Sequence, residues 1–201
     1  MLHEAQEKLK KYYGYDNFRK GQEDVIDSIL SGKDTFAVMP TGAGKSVCYQ
    51  IPALMLEGVT LVISPLISLM KDQVDTLNSI GIAATYINSS LSINEVNERI
   101  DKVARGEFKL LYVAPERLES DFFCNMLNRL KISLLAVDEA HCVSQWGHDF
   151  RPSYAAISSL IDKLSDRPII AAFTATATQD VRIDVIKLLK LREPDVYVTG
   201  F

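Results

Sequence analysis

A chain of 201 residues, 47% of them hydrophobic, can bury about two thirds or more of the surface its unfolded form exposes, enough for one self-sufficient core. No window reaches the roughly 18 apolar residues of a membrane span. The cysteines Cys48, Cys124 and Cys142 are far apart and form no CxxC pair, which argues against a disulfide framework and a cysteine-rich zinc site. The formal net charge of -4 gives no basic footprint of the kind nucleic-acid binders usually carry, although backbone N–H groups and helix N-termini hold phosphates without formal charge.

The N-terminal "MLHEAQEKLKKYY" reads as a charged helix, not an apolar secretory segment, and opens a helical lead over residues 1–30. A soluble protein of a reducing, intracellular compartment is expected. Seven short apolar, β-branched runs then recur: "TFAVM" (35–39), "VTLVIS" (59–64), "ATYI" (84–87), "KLLYVA" (109–114), "SLLAVD" (133–138), "PIIAAFT" (168–174) and "DVYVTG" (195–200). Each reads as a strand. Segments between them, such as 64–81 and 178–191, space apolar residues by three and four, as amphipathic helices do. Alternating strands and helices predict a doubly wound α/β domain over 31–201, with a mostly parallel sheet and helices on both faces. Ligands of such sheets collect beyond the carboxyl ends of the strands.

The first strand is followed by "MPTGAGKS". Gly42 and Gly44 let the backbone curl around phosphates, and a helix expected to open at Lys45 adds free N–H groups and the positive end of its dipole. In such a loop, Thr41 to Ser46, Lys45 reaches the β- and γ-phosphates and the Ser46 hydroxyl ligates Mg²⁺. The loop lacks the first glycine of the usual pattern, and the bland alternative is a glycine-rich turn. The fifth run ends in Asp138, followed by Glu139. Beside a phosphate loop, Asp138 is the second magnesium-holding group and Glu139 is placed to polarise the attacking water. The stretch "VDEAHCVSQWGHDFRP" leaves a metal site, a hydrolytic dyad and a coupling segment open. His141 and His148 lie seven apart and the HExxH spacing is absent, which disfavours zinc.

At these residues a resemblance becomes specific. "TGAGKS", "DEAH" and "TAT" (174–176) look like motifs I, II and III of superfamily 2 helicases, and "DEAHCVSQWGHDFRPSY" resembles the aromatic-rich loop of RecQ-family DNA helicases. "YGYDNFRKGQ" (13–22) is similar to motif 0 of that family, "SPLISLMKDQV" (64–74) to motif Ia and "YVAPERL" (112–118) to motif Ib. The resemblance implies a RecA-like ATP-binding lobe that uses ATP and Mg²⁺. It puts Gln22 on the adenine edge with Tyr15 and Arg19 against its faces; Lys20 stands where the family often has proline. His141 belongs to the catalytic set with Lys45, Asp138 and Glu139. Trp146 and Phe150 are expected to stack on unpaired bases, with His148, Arg151, Thr174 and Thr176 coupling DNA to the ATP site. Ser64 would cap a helix starting at Pro65 whose N–H groups face a DNA phosphate.

Blander readings stand beside each: packed aromatics for motif 0, a plain capped helix at Ser64, a core anchor for Trp146. The family implies single-stranded or forked DNA as partner, 3′ to 5′ polarity, roles in recombination, repair and replication, and a monomer working in the bacterial cytoplasm at the nucleoid or in the eukaryotic nucleus. It also implies a second RecA-like lobe with motifs IV to VI and an arginine finger. The chain therefore reads as the N-terminal ATPase lobe of a longer protein, nearly inactive alone. Rival readings are a P-loop kinase, an RNA-directed superfamily 2 ATPase and a nucleotide-gated adaptor.

Overall fold

The structure, a computed structural model, describes residues 1–40 and 44–199. All seven expected strands form: β1 (Thr35–Val38), β2 (Val59–Ile63), β3 (Ala84–Ile87), β4 (Leu110–Val113), β5 (Ile132–Val137), β6 (Ile169–Thr174) and β7 (Asp195–Val198). They make one parallel sheet in the order β3-β4-β2-β5-β6-β1-β7. The helices are α1 (Leu2–Tyr13), α2 (Gln22–Leu30), α3 (Val47–Met55), α4 (Ile67–Ser79), α5 (Ile93–Ala104), α6 (Asp121–Leu127), α7 (Ala155–Lys163) and α8 (Gln179–Leu188).

Strands β1 to β6 are short and largely apolar because both faces of the sheet are covered there, whereas the edge strand β7 leaves Val196 and Val198 exposed. Alternate residues serve opposite cores. Phe36 and Val38 with Leu61, Ile63, Leu135 and Val137 face α5, α6, α7 and α8, whereas Ala37, Val62, Tyr112, Ala136 and Phe173 face α2, α3 and α4. Each fully buried large aliphatic or aromatic side chain contributes about 1.5–3 kcal/mol relative to exposure. The helical lead is tied in by Ala5, Leu9 and Ile26, which pack on Ile51 of α3. That contact brings residues 13–22 against the helix that follows the phosphate loop.

At the amino-terminal edge of the sheet, buried Asp34 pairs with Arg167 and accepts the N–H groups of Ile170, at 3.0 Å, and Arg192, at 2.7 Å, joining the segments around β1, β6 and β7. The functional residues lie at the opposite edge. No described helix is long and apolar enough to cross a membrane.

Two expected helix starts shift. α3 begins at Val47 with Ser46 as its N-cap, two residues later than the expected opening at Lys45. α4 begins at Ile67 with Leu66 as N-cap and no side-chain cap, so Ser64 does not cap it. Ser64 instead continues the sheet edge: it is buried and its N–H donates to Val113 O at 3.3 Å. A residue before proline is held away from the helical region, and here the helix opens only after Pro65 and Leu66.

Candidate nucleotide and nucleic-acid site

The sheet order makes β5, β6 and β1 neighbours, so their parallel carboxyl ends deliver Asp138, Thr174 and Met39 to one edge. Met39 N donates to Thr174 O at 2.9 Å, and Lys45 Nζ donates to Met39 O at 3.5 Å. Lys45 thus folds back toward the strand ends. Thr41 and Gly42, expected to line the phosphates, lie outside the described residues. Gly44 is described and has φ +76; a Cβ there would sit 2.4 Å from Gln22 Nε2. Only glycine fits that left-handed backbone and that approach.

Gln22 bridges motif 0 and the phosphate loop. Its Oε1 accepts Arg19 N–H at 2.7 Å, and its Nε2 donates to Gly44 O at 3.1 Å. Tyr15, Arg19, Gln22, Gly44 and Ser46, with Leu9 and Tyr13, line a cavity of about 270 Å³. The structure therefore gathers the expected base-binding residues beside Ser46. Tyr15 is exposed, so packed core aromatics do not account for it.

At the tip of β5 the two acids have different environments. Asp138 is half-buried; burial first, and then the neighbouring Glu139 carboxylate, push its carboxyl up to about 6, against the Glu139 N–H bond at 2.9 Å and the Lys45 charge. Glu139 adopts the left-handed conformation, φ 51 and ψ 45, uncommon for a residue with a side chain. Asp138 is fixed at its backbone: its N–H donates to Ile63 O at 3.0 Å and its carbonyl accepts from the buried Tyr154 hydroxyl at 2.8 Å. Sequence reasoning did not single out Tyr154, the last letter of the aromatic-rich match, whose contact with Asp138 spans 16 residues.

His141 is buried and connects the acids to motif III. Its Nδ1 lies 2.7 Å from Thr174 Oγ1 and 3.5 Å from Glu139 Oε2. The Thr174 hydroxyl donates its one hydrogen to Thr176 O at 3.1 Å, so it accepts from His141, and the imidazole carries its proton on Nδ1. Burial holds the His141 pKa below its ordinary value, and the ring is neutral at pH 7. Thr174 is fully buried, so its side chain is not on the surface where a direct nucleic-acid contact was expected of it. Thr176 is exposed.

Beyond His141 the chain makes a 3-10 turn over Ala140–Val143 and closes on itself where Arg151 N donates to Cys142 O at 2.9 Å. His148 stacks on His141 with ring centroids 4.5 Å apart. Trp146 is 73% exposed and Phe150 41%, so Trp146 is not a core anchor. With Gly147, His148, Thr176, Ala177 and Thr178, Trp146 borders a cavity of about 380 Å³. Arg151 pairs with Asp149 at 3.3 Å. Donor atoms of His141, Cys142 and Asp149 converge within 4.8 Å, a cluster that histidine spacing did not foretell. Burial, then Asp149, pushes the Cys142 thiol up to about 12; it stays protonated at neutral pH and is a poor metal ligand.

The tightness of this loop is testable. A Cβ on Gly147 would stand 2.8 Å from His141 O. Gly147→Ala is expected to destabilise the fold by about 1–3 kcal/mol through overpacking, read as a melting temperature lower by several degrees. An unchanged melting curve would show that the loop yields freely.

Residues 19–183 match the DEAD/DEAH box helicase family. The chain is 53% identical, over its whole length, to the ATP-dependent DNA helicase RecQ of Bacillus subtilis, of which it covers 34%. It is 47% identical, over 92% of its length, to the ATP-dependent DNA helicase Q5 of Rattus norvegicus, of which it covers 20%. It thus spans about a third or less of these relatives. The helicase domain of Pyrococcus furiosus Hef superposes with a TM-score of 0.70 at 19% identity, covering 91% of this chain and 39% of that one. A hypothetical ATP-dependent RNA helicase of Sulfolobus tokodaii superposes with a TM-score of 0.71 at 22% identity, covering 98% and 57%. Such identities show a shared fold.

Proposed function

This chain belongs to the DEAD/DEAH box helicase family, and on that premise we propose that it is the ATP-binding lobe of a RecQ-type DNA helicase. It couples ATP hydrolysis to 3′ to 5′ movement on single-stranded or forked DNA in recombination, repair and replication. The observation that carries the reading is one unbroken set of contacts: Lys45 to Met39, Met39 to Thr174, Thr174 to His141, and His141 into the turn that presents Trp146. A kinase needs no exposed tryptophan on the turn that follows its acids. A passive adaptor needs no polarised pair there.

Tyr15, Arg19 and Gln22 hold the base: a ring and a planar guanidinium stack, and a carboxamide donates to and accepts from an adenine edge. Lys45 holds the β- and γ-phosphates. The donor set fits Mg²⁺: the Ser46 hydroxyl and the Asp138 carboxylate are hard oxygen ligands, and Asp138 and Glu139 place two carboxylates side by side at the strand tip. Held by Ser46 and Asp138, Mg²⁺ would supply positive charge to offset the negative charge that develops in phosphoryl transfer. Glu139 orients the attacking water and takes up its proton, while His141, anchored by its Nδ1–H on Thr174, lies 3.5 Å from the Glu139 carboxylate. A second RecA-like lobe, outside this chain, closes on the nucleotide with an arginine. The protein acts as a monomer, in the bacterial nucleoid or the eukaryotic nucleus.

DNA is distinguished from RNA by direct binding. The parent protein is expected to bind a single-stranded DNA oligonucleotide more tightly than the RNA of the same sequence. Trp146→Ala should weaken the DNA complex roughly ten- to a hundredfold, the equivalent of about 1–3 kcal/mol of stacking. Because the ring is exposed, the melting temperature should hardly move. Equal DNA affinity with and without the indole would take Trp146 off the DNA path, and tighter RNA binding would favour the RNA-directed rival.

A further inference from the structure

Ser144 follows the 3-10 turn and is fully buried. Its hydroxyl donates to Asp184 Oδ2 at 2.7 Å and accepts the backbone N–H of Trp146 at 3.1 Å. A hydroxyl has one hydrogen; once that hydrogen is committed to a carboxylate, only lone pairs remain to meet the Trp146 N–H. The bond to Asp184 is of the charge-assisted, stronger kind. Asp184 therefore sets the rotor that holds the backbone at Trp146.

The support behind Asp184 is rigid. It lies on α8, whose Val181 and Val185 are locked in the core and whose first turn is capped by Thr178, the side chain accepting from Val181 N–H. The same segment holds the turn at its other end, since His141 bonds Thr174 at the end of β6, just before α8. The turn 141–144 is thus tethered twice to β6 and α8. The indole begins two residues beyond the second tether and forms one wall of the cavity whose other wall is Thr176, Ala177, Thr178 and Val181.

We infer that Asp184 is a positioning residue for the aromatic loop: through Ser144 it fixes the ring of Trp146 relative to motif III, so that contact at the ring is felt by β6 and α8 and through Thr174 by His141. It touches neither nucleotide nor nucleic acid. The inference rests on the DNA-binding role proposed above for Trp146, and the experiment separates the two.

Trp146 is the one tryptophan of the chain, so intrinsic fluorescence of the 201-residue protein, excited on the red edge where tyrosine does not absorb, reports this loop alone. Without DNA, Asp184→Leu should lower the steady-state anisotropy of Trp146 and roughly double its quenching by acrylamide, whereas Asp184→Asn, whose amide oxygen still accepts the hydrogen, should resemble the wild type. With a dT oligonucleotide, Asp184→Leu should bind about tenfold more weakly, Asp184→Asn within about twofold, and ATP affinity by equilibrium dialysis should be unchanged in both. Ser144→Ala removes the same bond from the other side; it should match Asp184→Leu, and the double variant should lose no more than either single. Wild-type anisotropy in Asp184→Leu, or equal losses in the Asn and Leu variants, would overturn the role of Asp184. A wild-type protein whose fluorescence ignores the oligonucleotide would overturn the DNA reading, and the DNA-free comparison would still decide for or against Asp184.

Discussion

Glu139→Gln in the full-length protein is expected to lower ATP turnover by about 10²- to 10⁴-fold, the range that general acid–base catalysis contributes, while nucleotide binding stays within a few-fold of the wild type. The amide nearly matches the carboxylate in shape and keeps one acceptor oxygen, but it takes up no proton. This role is proposed for Glu139, and not for its neighbour, on geometric grounds. Asp138 is half-buried on the strand tip with its backbone held by Ile63 and Tyr154, whereas the left-handed turn at Glu139 carries its carboxylate within 3.5 Å of His141 Nδ1. The His141 ring, anchored on Thr174, stands beside that carboxylate. Single-turnover hydrolysis and nucleotide titration on one preparation check both halves. A glutamine variant that hydrolyses ATP at near-normal rate would make Glu139 a bystander and move the base elsewhere.

What was legible in the sequence follows from how local each signal is. All seven strands could be located because each is a run rich in apolar, β-branched residues, a property of the run itself, even though the edge strand β7 leaves Val196 and Val198 exposed. Lys45, Ser46, Asp138 and Glu139 could be placed near one sheet edge because they lie at short offsets from strand ends. The exposure of Trp146 was also foreseeable from the polar residues around it. Contacts across the chain were not. Ser144 meets Asp184 40 residues away, and Tyr154 reaches back 16 residues to the Asp138 carbonyl. No periodicity records such pairs. Thr174 shows the same limit from the other side: its place in motif III was plain, but whether it faces DNA or the interior depends on its neighbours β5 and β1. Ser64 was misread as a cap because Pro65 marks a first helical position in general, and here the chain stays extended through Leu66 before turning.

Asp138→Asn should separate function from stability. Turnover should fall by more than the 10- to 100-fold that loss of an outer partner of a metal ligand costs, because the proposed metal loses its charged protein oxygen. The nucleotide-free protein should instead become more stable at neutral pH. In the unfolded chain this carboxyl ionises near 3.8; in the fold it keeps its proton up to about 6. Between those values the folded state binds more protons, so stability contributed by this group is lost as pH rises from about 4 to 6 and remains lost above. The difference corresponds to about 3 kcal/mol, and the Lys45 charge left without its partner offsets part of it. Asparagine keeps an oxygen for the Glu139 N–H and carries no charge. The expected gain is therefore about 1–3 kcal/mol at pH 7–8, shrinking at pH 5 and absent below pH 4. Denaturant melts of both proteins across that range measure it. Adding Mg²⁺ and a non-hydrolysable ATP analogue should then raise the melting temperature of the wild type, since a ligand that binds only the fold stabilises it, and raise that of the variant much less. A variant no more stable at pH 8 than at pH 4, relative to the wild type, would mean that Asp138 carries no strained charge. An equal ligand-induced rise in both would mean that it holds no metal.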